Sequence, residues 1–283
     1  MKQRIITACI ALPIFIAGML CMFTVIFPFF VAFLSAYSAF ELTRATQVKN
    51  KLLVIISIIT AAAVPIAVYF RDYLTDVPFY AIITLYVIFF LSVGVFNFEK
   101  TGFDNILSSL FASFIFPMGF SSTILISQLY IDYPGVYDKA HCVFFIIFCF
   151  ICAWGSDIFA YFIGRKFGKH KLAPVVSPHK SVEGFIGGIV GSAVLGVALL
   201  ALFNFCVFEN SEAVKYSQIA VIAMILAVAG VMGDLSLSAI KRKYGIKDYS
   251  NLLPGHGGVL DRFDSCLFVL PVLYSSVLVI NLF

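Results

Sequence analysis

The chain has 283 residues, of which 61% are hydrophobic and 12% are charged, and its formal net charge is +4. Soluble domains contain about 45–50% apolar residues, so this composition, with a mean hydropathy of +1.03, excludes an ordinary soluble enzyme. No polar run is long enough to form a separate soluble domain. The sequence therefore predicts an integral membrane protein.

Nine apolar segments are long enough, at roughly 20 residues each, to cross a bilayer as helices. They are residues 5–22, 26–43, 52–70, 78–97, 105–129, 142–163, 184–207, 217–240 and 260–281. The predicted fold class is all-α, a polytopic membrane protein with about nine transmembrane helices. Lys2 and Arg4 precede the first segment, as in a secretory signal, but no small-residue cleavage site precedes a polar chain. We therefore expect a retained first helix.

The basic residues predict the orientation of these segments. With the N-terminus in the cytoplasm, sixteen of the 19 Lys and Arg residues, Lys100 among them, fall on the cytoplasmic side. Only Arg71, Lys139 and Lys215 fall outside. Because cytoplasmic loops are enriched in Lys and Arg, we expect a cytoplasmic N-terminus and an external C-terminus, in the cell (plasma or inner) membrane.

Polar residues divide the chain into two predicted regions. Residues 1–140, with spans 1–5, contain few intramembrane polar groups, and residues 141–283, with spans 6–9, contain two basic cytoplasmic loops. We interpret the second region as catalytic. In the first, Glu41 stands at the cytoplasmic end of a span, where a capping or snorkelling carboxylate is expected and a functional role is the alternative.

Two small-residue patterns have structural interpretations. Cys149 and Cys152 form a C-x-x-C inside an apolar span, where free cysteine behaves as a small buried hydrophobe. The seventh span begins with two overlapping G-x-x-x-G spacings, and small residues at that spacing let helices approach closely in lipid. Helix packing is the expected role of these glycines, and a homodimer contact is the alternative. They are Gly184, Gly187, Gly188 and Gly191.

Four aspartates lie at or inside the predicted membrane boundary: Asp157, Asp234, Asp261 and Asp264. Charge near a bilayer is costly and marks functional sites, although each aspartate alone could be the counter-ion of a Lys or Arg. Asp234, Asp261 and Asp264 come from two cytoplasmic helix ends and together would form an oxygen site suited to Mg²⁺. The surrounding Lys and Arg residues indicate a phosphate ligand.

Two segments resemble a known family. From Ser238-x-Ile-Lys-Arg through Pro254-Gly-His-Gly-Gly to Asp261-Arg-Phe-Asp, the chain resembles the C-terminal signature of the phosphatidate cytidylyltransferases, or CDP-diacylglycerol synthases. A second segment, from Asp157 to Gly184, is also similar to that family. The resemblance is best over residues 150–283, whereas the earlier spans are similar only in hydropathy.

The resemblance implies transfer of CMP from CTP to phosphatidate, giving CDP-diacylglycerol and pyrophosphate in phospholipid biosynthesis, with Mg²⁺ as cofactor. The expected partners are CTP, phosphatidate and the lipid bilayer, with no nucleic acid, and the active site is expected to face the cytoplasm. A phosphate monoester has a second pKa of about 6, so this nucleophile is already largely ionised. The reaction needs positioning and electrostatic stabilisation rather than a strong base.

On this basis we predict a role for each residue. Asp234, Asp261 and Asp264 hold the metal, with Asp157 as a further candidate, and Asp261, Asp264 and Lys247 are the catalytic residues. The residues predicted to bind phosphates are Lys180, Ser181, Lys241, Arg242, Lys247 and Arg262. His256 is expected to donate to pyrophosphate or, alternatively, to stabilise its turn. Lys166, Lys169 and Lys171 are expected to contact anionic lipid headgroups.

Three other functions are alternatives to a phosphatidate cytidylyltransferase. A transporter would place polar groups along a route across the bilayer, whereas here they gather on one side. A CDP-alcohol phosphotransferase would contain Asp-x-x-Asp-Gly-x-x-Ala-Arg, but Asp264 is followed by Ser-Cys-Leu. A cytidylyltransferase for a different lipid phosphate, such as an archaeal-type ether lipid, stays open from the sequence.

Overall fold

The structure, a computed structural model, describes residues 2–97, 101–208 and 214–281, and Lys100 lies outside these ranges. The described residues form ten α-helices, one 3-10 turn (Arg71–Tyr73) and one β-hairpin. In chain order they are α1 (Lys2–Leu20), α2 (Ile26–Ala45), α3 (Lys51–Tyr69), α4 (Phe79–Phe96), α5 (Phe103–Asp132), α6 (Lys139–Phe167), β1 (Lys171–Ala173), β2 (Ser177–Ser181), α7 (Val182–Cys206), α8 (Tyr216–Lys243), α9 (Leu260–Phe263) and α10 (Cys266–Asn281).

The all-α membrane fold class is confirmed. Helices α2 to α8 are long and apolar enough to cross a membrane, and two further apolar stretches, Ala11–Leu20 in α1 and Cys266–Ile280 in α10, are shorter. Each predicted span overlaps one of these nine helices. The number of crossings and their orientation stay predictions.

Helices α3 and α6 begin where a polar capping residue precedes an apolar run. Asp138 and His141 form a capping box at the start of α6, and the Asn50 side chain accepts from the Leu52 amide, 3.0 Å away, at the start of α3. These side chains satisfy amides that have no partner within the helix. The polar loop after α6 forms an antiparallel hairpin, which the sequence analysis did not predict.

One of two compact units consists of Met1–Ile124 and Lys243–Arg262. A core cluster in it joins α3, α4 and α5 through Leu53, Phe90, Val93 and Ile106. The Tyr86 hydroxyl donates to the Ser113 hydroxyl across 2.7 Å, so a polar contact joins α4 and α5 as well. The two compact units each consist of two separate segments of the chain. The predicted division near residue 140 concerns catalytic role rather than compactness, and it stays a prediction.

The other compact unit consists of Leu125–Arg242 and Phe263–Phe283, and close packing of α6 on α7 dominates it. A Cβ atom at Gly184 would lie 2.6 Å from the Ala160 carbonyl oxygen, and one at Gly188 would lie 2.8 Å from that of Ser156. The packing role predicted for the G-x-x-x-G spacings is therefore confirmed, and the homodimer contact stays a prediction. Cys149 and Cys152 are buried in α6, as expected.

A second close approach joins α8 to the segment around α10. A Cβ atom at Gly233 would lie 2.7 Å from the Asp264 carbonyl oxygen and 2.6 Å from the Phe268 ring. Only a residue without a side chain fits here, and the next residue in α8 is Asp234. Helix packing thus brings Asp234 close to Asp264.

We expect Gly188→Ala to destabilise the protein, because its Cβ atom would meet the rigid backbone of α6. Overpacking of this kind costs about 1–3 kcal/mol. The melting temperature of the purified protein in detergent should fall by several degrees. Gly102→Ala is the matched control, since its Cβ atom would have no neighbour within 4 Å, and an equal loss in both variants would contradict the packing argument.

Candidate active site

Lys180 connects two of the predicted aspartates. Its Nζ atom lies 2.7 Å from Oδ2 of Asp234 and 3.5 Å from Oδ1 of Asp157. Lys180 is in β2, directly before α7, whereas Asp157 is in α6 and Asp234 is in α8. A lysine of the hairpin therefore lies between carboxylates of α6 and α8.

The electrostatic environment keeps Lys180 charged. Burial alone would lower the pKa of its ammonium group. The Asp234 and Asp157 carboxylates raise that pKa by more than burial lowers it, so the net shift is upward. A partly buried cation of this kind is stabilised only while its carboxylate partners are present. The predicted anion-binding lysine is thus held in place by the predicted metal-binding residues.

Asp234 and Asp264 form a second contact. Their carboxyl groups are hydrogen-bonded to each other, and the Ser238 hydroxyl lies 3.2 Å from Oδ1 of Asp234. The Lys241 ammonium group is close enough to Asp264 to attract its carboxylate electrostatically. Two acids this close do not both ionise readily without a positive charge beside them.

Other predicted phosphate-binding residues also have structural contacts in this unit. Lys241 is 9% exposed, and the Arg242 side chain donates from Nε to the Val176 carbonyl oxygen, 3.3 Å away, at the tip of the hairpin. The buried Ser181 hydroxyl accepts from the Gly184 amide at 3.1 Å and so caps the start of α7. A direct contact of Ser181 with phosphate stays a prediction.

Glu183 stabilises the basic loop between α6 and α7, residues 168–181, and the sequence did not predict this role. Its carboxylate accepts from the backbone amides of Lys169 (3.1 Å) and His170 (3.2 Å) and contacts Nδ1 of His170 at 2.7 Å. The position of Glu183 in the first turn of α7 was the available signal, because acidic residues favour that position.

The segment before α9 belongs to the other compact unit, where Asp261 organises it. Oδ2 of Asp261 accepts from the backbone amides of Tyr249 at 2.8 Å and Gly258 at 2.9 Å. The Arg262 side chain donates from Nε to the His256 carbonyl oxygen at 2.7 Å. Asp261 therefore fixes residues 249–260, which we call the signature loop, and its predicted metal and catalytic roles stay predictions.

The glycines of this turn have the expected close approaches. Gly255 and Gly257 have positive φ angles of 79° and 82°, which favour glycine, and a Cβ atom at Gly257 would lie 2.7 Å from Oδ2 of Asp261. The His256 amide donates to the Leu253 carbonyl oxygen at 2.7 Å. The backbone of His256 thus stabilises the turn, while the role of its side chain in binding pyrophosphate stays a prediction. Lys247, on the same segment, is exposed.

Glu41 of α2 also contacts this segment. Its fully buried carboxylate accepts from the Ser250 hydroxyl and from the backbone amides of Val259 and Leu260, at 2.5, 3.0 and 2.8 Å. The expectation of a snorkelling carboxylate is wrong, because the side chain is fully buried. Glu41 is instead a capping carboxylate, and the helix that it caps is α9 rather than its own. The partners are more than 200 residues away in sequence, so no local pattern could identify them.

The described residues contain no cluster of three or more His, Cys, Asp or Glu side chains arranged to hold a metal. What they contain is the Asp234–Asp264 pair, with Asp157 joined to Asp234 through Lys180. Acids and bases in direct contact can bind a cation and phosphate groups by exchanging partners. The metal roles predicted for the four aspartates stay predictions.

Comparison with known proteins gives consistent matches. Residues 2–280 match a family model described as "Cytidylyltransferase family". A phosphatidate cytidylyltransferase of Staphylococcus saprophyticus is 33% identical over 279 residues, which cover 96% of this chain and 97% of that protein. The Bacillus subtilis protein of the same name is 37% identical over 199 residues, 70% of this chain and 66% of that one. A third, from Staphylococcus haemolyticus, is 43% identical over 129 residues, 46% and 47% of the two chains.

The Lys180 contacts predict a stability effect. In Lys180→Met the partly buried carboxylates of Asp157 and Asp234 lose their cation, and we expect the melting temperature in detergent to fall by about 3–6 °C, roughly 1–2 kcal/mol for a chain of this size. Adding Asp157→Asn should recover part of the loss. Lys171→Met is the control, since Lys171 is exposed and its ammonium contacts only the Pro178 carbonyl oxygen among the described residues. A double variant no more stable than Lys180→Met would contradict the proposed charge balance.

Proposed function

Since the chain belongs to the cytidylyltransferase family, we propose that the cluster of Asp157, Lys180, Asp234, Lys241 and Asp264 binds the reacting phosphates of CTP and phosphatidate. The protein is a membrane enzyme of the phosphatidate cytidylyltransferase type, a CDP-diacylglycerol synthase of phospholipid synthesis. The observation that most supports the proposed site is the 2.7 Å contact between Lys180 and Asp234.

The reaction joins two anions. An oxygen of the phosphatidate monoester forms a bond to the α-phosphorus of CTP, the bond from that phosphorus to the oxygen bridging to the β-phosphate breaks, and pyrophosphate leaves. The monoester is largely ionised near neutral pH because its second pKa is about 6, so the site does not have to remove a proton. Its residues have to bind both anions, align them and stabilise the charge of the leaving group.

We propose that the cation is Mg²⁺ and that Asp234 and Asp264 are its protein ligands. The pair fits this ion, because Mg²⁺ is usually bound by one or two carboxylates together with substrate phosphates. The direct contact between the two carboxyl groups fits as well, since a neighbouring cation would favour the ionised form of both acids. Bound there, Mg²⁺ would supply positive charge against the phosphate oxygens. Asp157 and Asp261 are further candidate ligands.

The basic residues are proposed to bind the phosphates directly. Lys180 is already charged and fixed by Asp234 and Asp157, so phosphate binding requires it to exchange at least one of these partners. Ser181 contributes by capping α7 directly after Lys180. The remaining proposed phosphate-binding residues are Lys241, Arg242, Lys247, His256 and Arg262.

We also propose that the site faces the cytoplasm. The protein spans the membrane several times, and its bacterial relatives indicate the plasma membrane. The concentration of Lys and Arg beside the proposed site supports a cytoplasmic position, which is also where CTP is found. A homodimer stays part of the proposal without an assigned surface, because the glycines of α7 already pack on α6.

The proposed activity is tested with purified protein in detergent, labelled CTP, phosphatidate and Mg²⁺. We expect CDP-diacylglycerol and pyrophosphate in equal amounts, no product after chelation of divalent cations, and at least 100-fold lower kcat in Asp234→Asn because its contacts with Lys180 and Asp264 are weakened. Asp104→Asn is the control, since Asp104 is exposed and, among the described residues, its carboxylate pairs with Lys243, which is not one of the five residues of this cluster. No CDP-lipid from the wild-type protein, under conditions in which a known synthase works, would refute the proposed function.

Orientation is tested by cysteine labelling in a cysteine-free background. Val175 is 87% exposed at the tip of the hairpin, and Val136 is 45% exposed in the link before α6. We expect Val136→Cys to react with a membrane-impermeant maleimide in intact spheroplasts, and Val175→Cys to react only after permeabilisation. The reverse result would place the proposed site outside the cell.

A further inference from the structure

Glu41 lies in α2, outside both segments that resemble the family signature, yet it contacts the signature loop at three points. Its side chain is completely buried. One carboxylate oxygen, Oε1, accepts from the Ser250 hydroxyl and the Val259 amide, and the other, Oε2, accepts from the Leu260 amide. All of these residues belong to one compact unit.

Glu41 and Asp261 share consecutive amides of the backbone. The Gly258 amide donates to Asp261 at 2.9 Å, while those of Val259 and Leu260 donate to Glu41. The backbone that leads into Asp261 is therefore held by two carboxylates. A Cβ atom at Gly258 would overlap the Glu41 carboxylate, so the loop and Glu41 fit only with glycine at this position.

A carboxylate at this position is costly unless hydrogen bonds compensate for its burial. Among the described residues, its hydrogen-bond partners are the hydroxyl of Ser250 and the two amides, and none of them is positively charged. Both oxygens are used as acceptors. A glutamine of the same shape would have to turn its NH₂ group toward at least one donor, and that donor would lose its bond.

We infer that Glu41 is a positioning residue for the reaction: by holding the amides of Val259 and Leu260 it fixes the backbone that orients the Asp261 carboxylate. The catalytic part of this inference rests on the role proposed above for Asp261. Partners that orient a metal ligand through hydrogen bonds affect affinity or activity about 10–100-fold when they are removed. A residue of an N-terminal helix, outside the family signature, therefore contributes to the function of the C-terminal segment.

The test compares Glu41→Gln with Thr43→Val. Thr43 is equally buried in α2, but its hydroxyl donates only to the Ala39 and Phe40 carbonyl oxygens of its own helix. Hydrogen–deuterium exchange of the peptide covering residues 252–263 reports the anchoring without any substrate. We expect Glu41→Gln to increase exchange there, to lower kcat at least about tenfold, and to raise the Mg²⁺ concentration for half-maximal activity. Thr43→Val should leave the exchange, kcat and the Mg²⁺ requirement within about twofold of wild type, because the hydrogen bonds of Glu41 to the loop are retained.

Unchanged exchange in Glu41→Gln would overturn the anchoring, and increased exchange with unchanged kcat and Mg²⁺ dependence would overturn the positioning role. Loss of kcat with an unshifted Mg²⁺ requirement would also overturn it, since a smaller folded fraction gives that result. If Glu41→Gln does not fold, Ser250→Ala removes a single donor, and the same peptide should exchange faster by a smaller factor; no change would refute the inference. A wild-type protein without transfer activity would refute the proposed function, whereas the exchange comparison would still decide the anchoring.

Discussion

The ion pair between Lys180 and Asp234 is the interaction on which the arrangement of the site depends. Transferring charged groups from water to the ends of apolar helices costs several kcal/mol per ion, and the pair offsets part of that cost through a contact of 2.7 Å. Because Asp157 is 3.5 Å from the same ammonium group, one lysine compensates carboxylates from two helices. Removing it would leave like charges together where solvent screens them poorly.

Glycines let the backbones around this pair approach closely. Because Gly184 and Gly188 have no side chain, α7 can pack closely on α6. Gly233 likewise lets α8 approach the segment around Asp264. In lipid such close contacts also supply much of the association energy between helices, since burial of apolar surface gives little advantage there. The residues that pack this unit are therefore the same ones that bring its charged groups within hydrogen-bonding distance.

The positions of the helices were predictable, because in a bilayer the backbone must satisfy its own hydrogen bonds and apolar length almost determines the element. The charged residues of the site were also recognisable, since charge in an apolar chain marks function. Their partners were not. Glu41 and Leu260 are 219 positions apart, and Lys180 and Asp234 belong to separate elements, so neither contact follows from spacing along the chain. The Ser181 cap of α7 and the hairpin β1–β2 are local contacts, but their segment mixes apolar residues with polar residues and prolines, and this mixed pattern indicates only that a membrane helix ends there.

The carboxylates of this protein have two kinds of partner. Glu41 and Asp261 accept from backbone amides, and these contacts hold the loop and orient the Asp261 carboxylate for its proposed role. Asp234 and Asp264 instead contact a lysine, a hydroxyl and each other, and such side-chain partners can be exchanged when a cation and phosphates arrive. A transfer between two anions requires both kinds: charges that can be re-paired by the substrates, and a backbone that stays in place while they are.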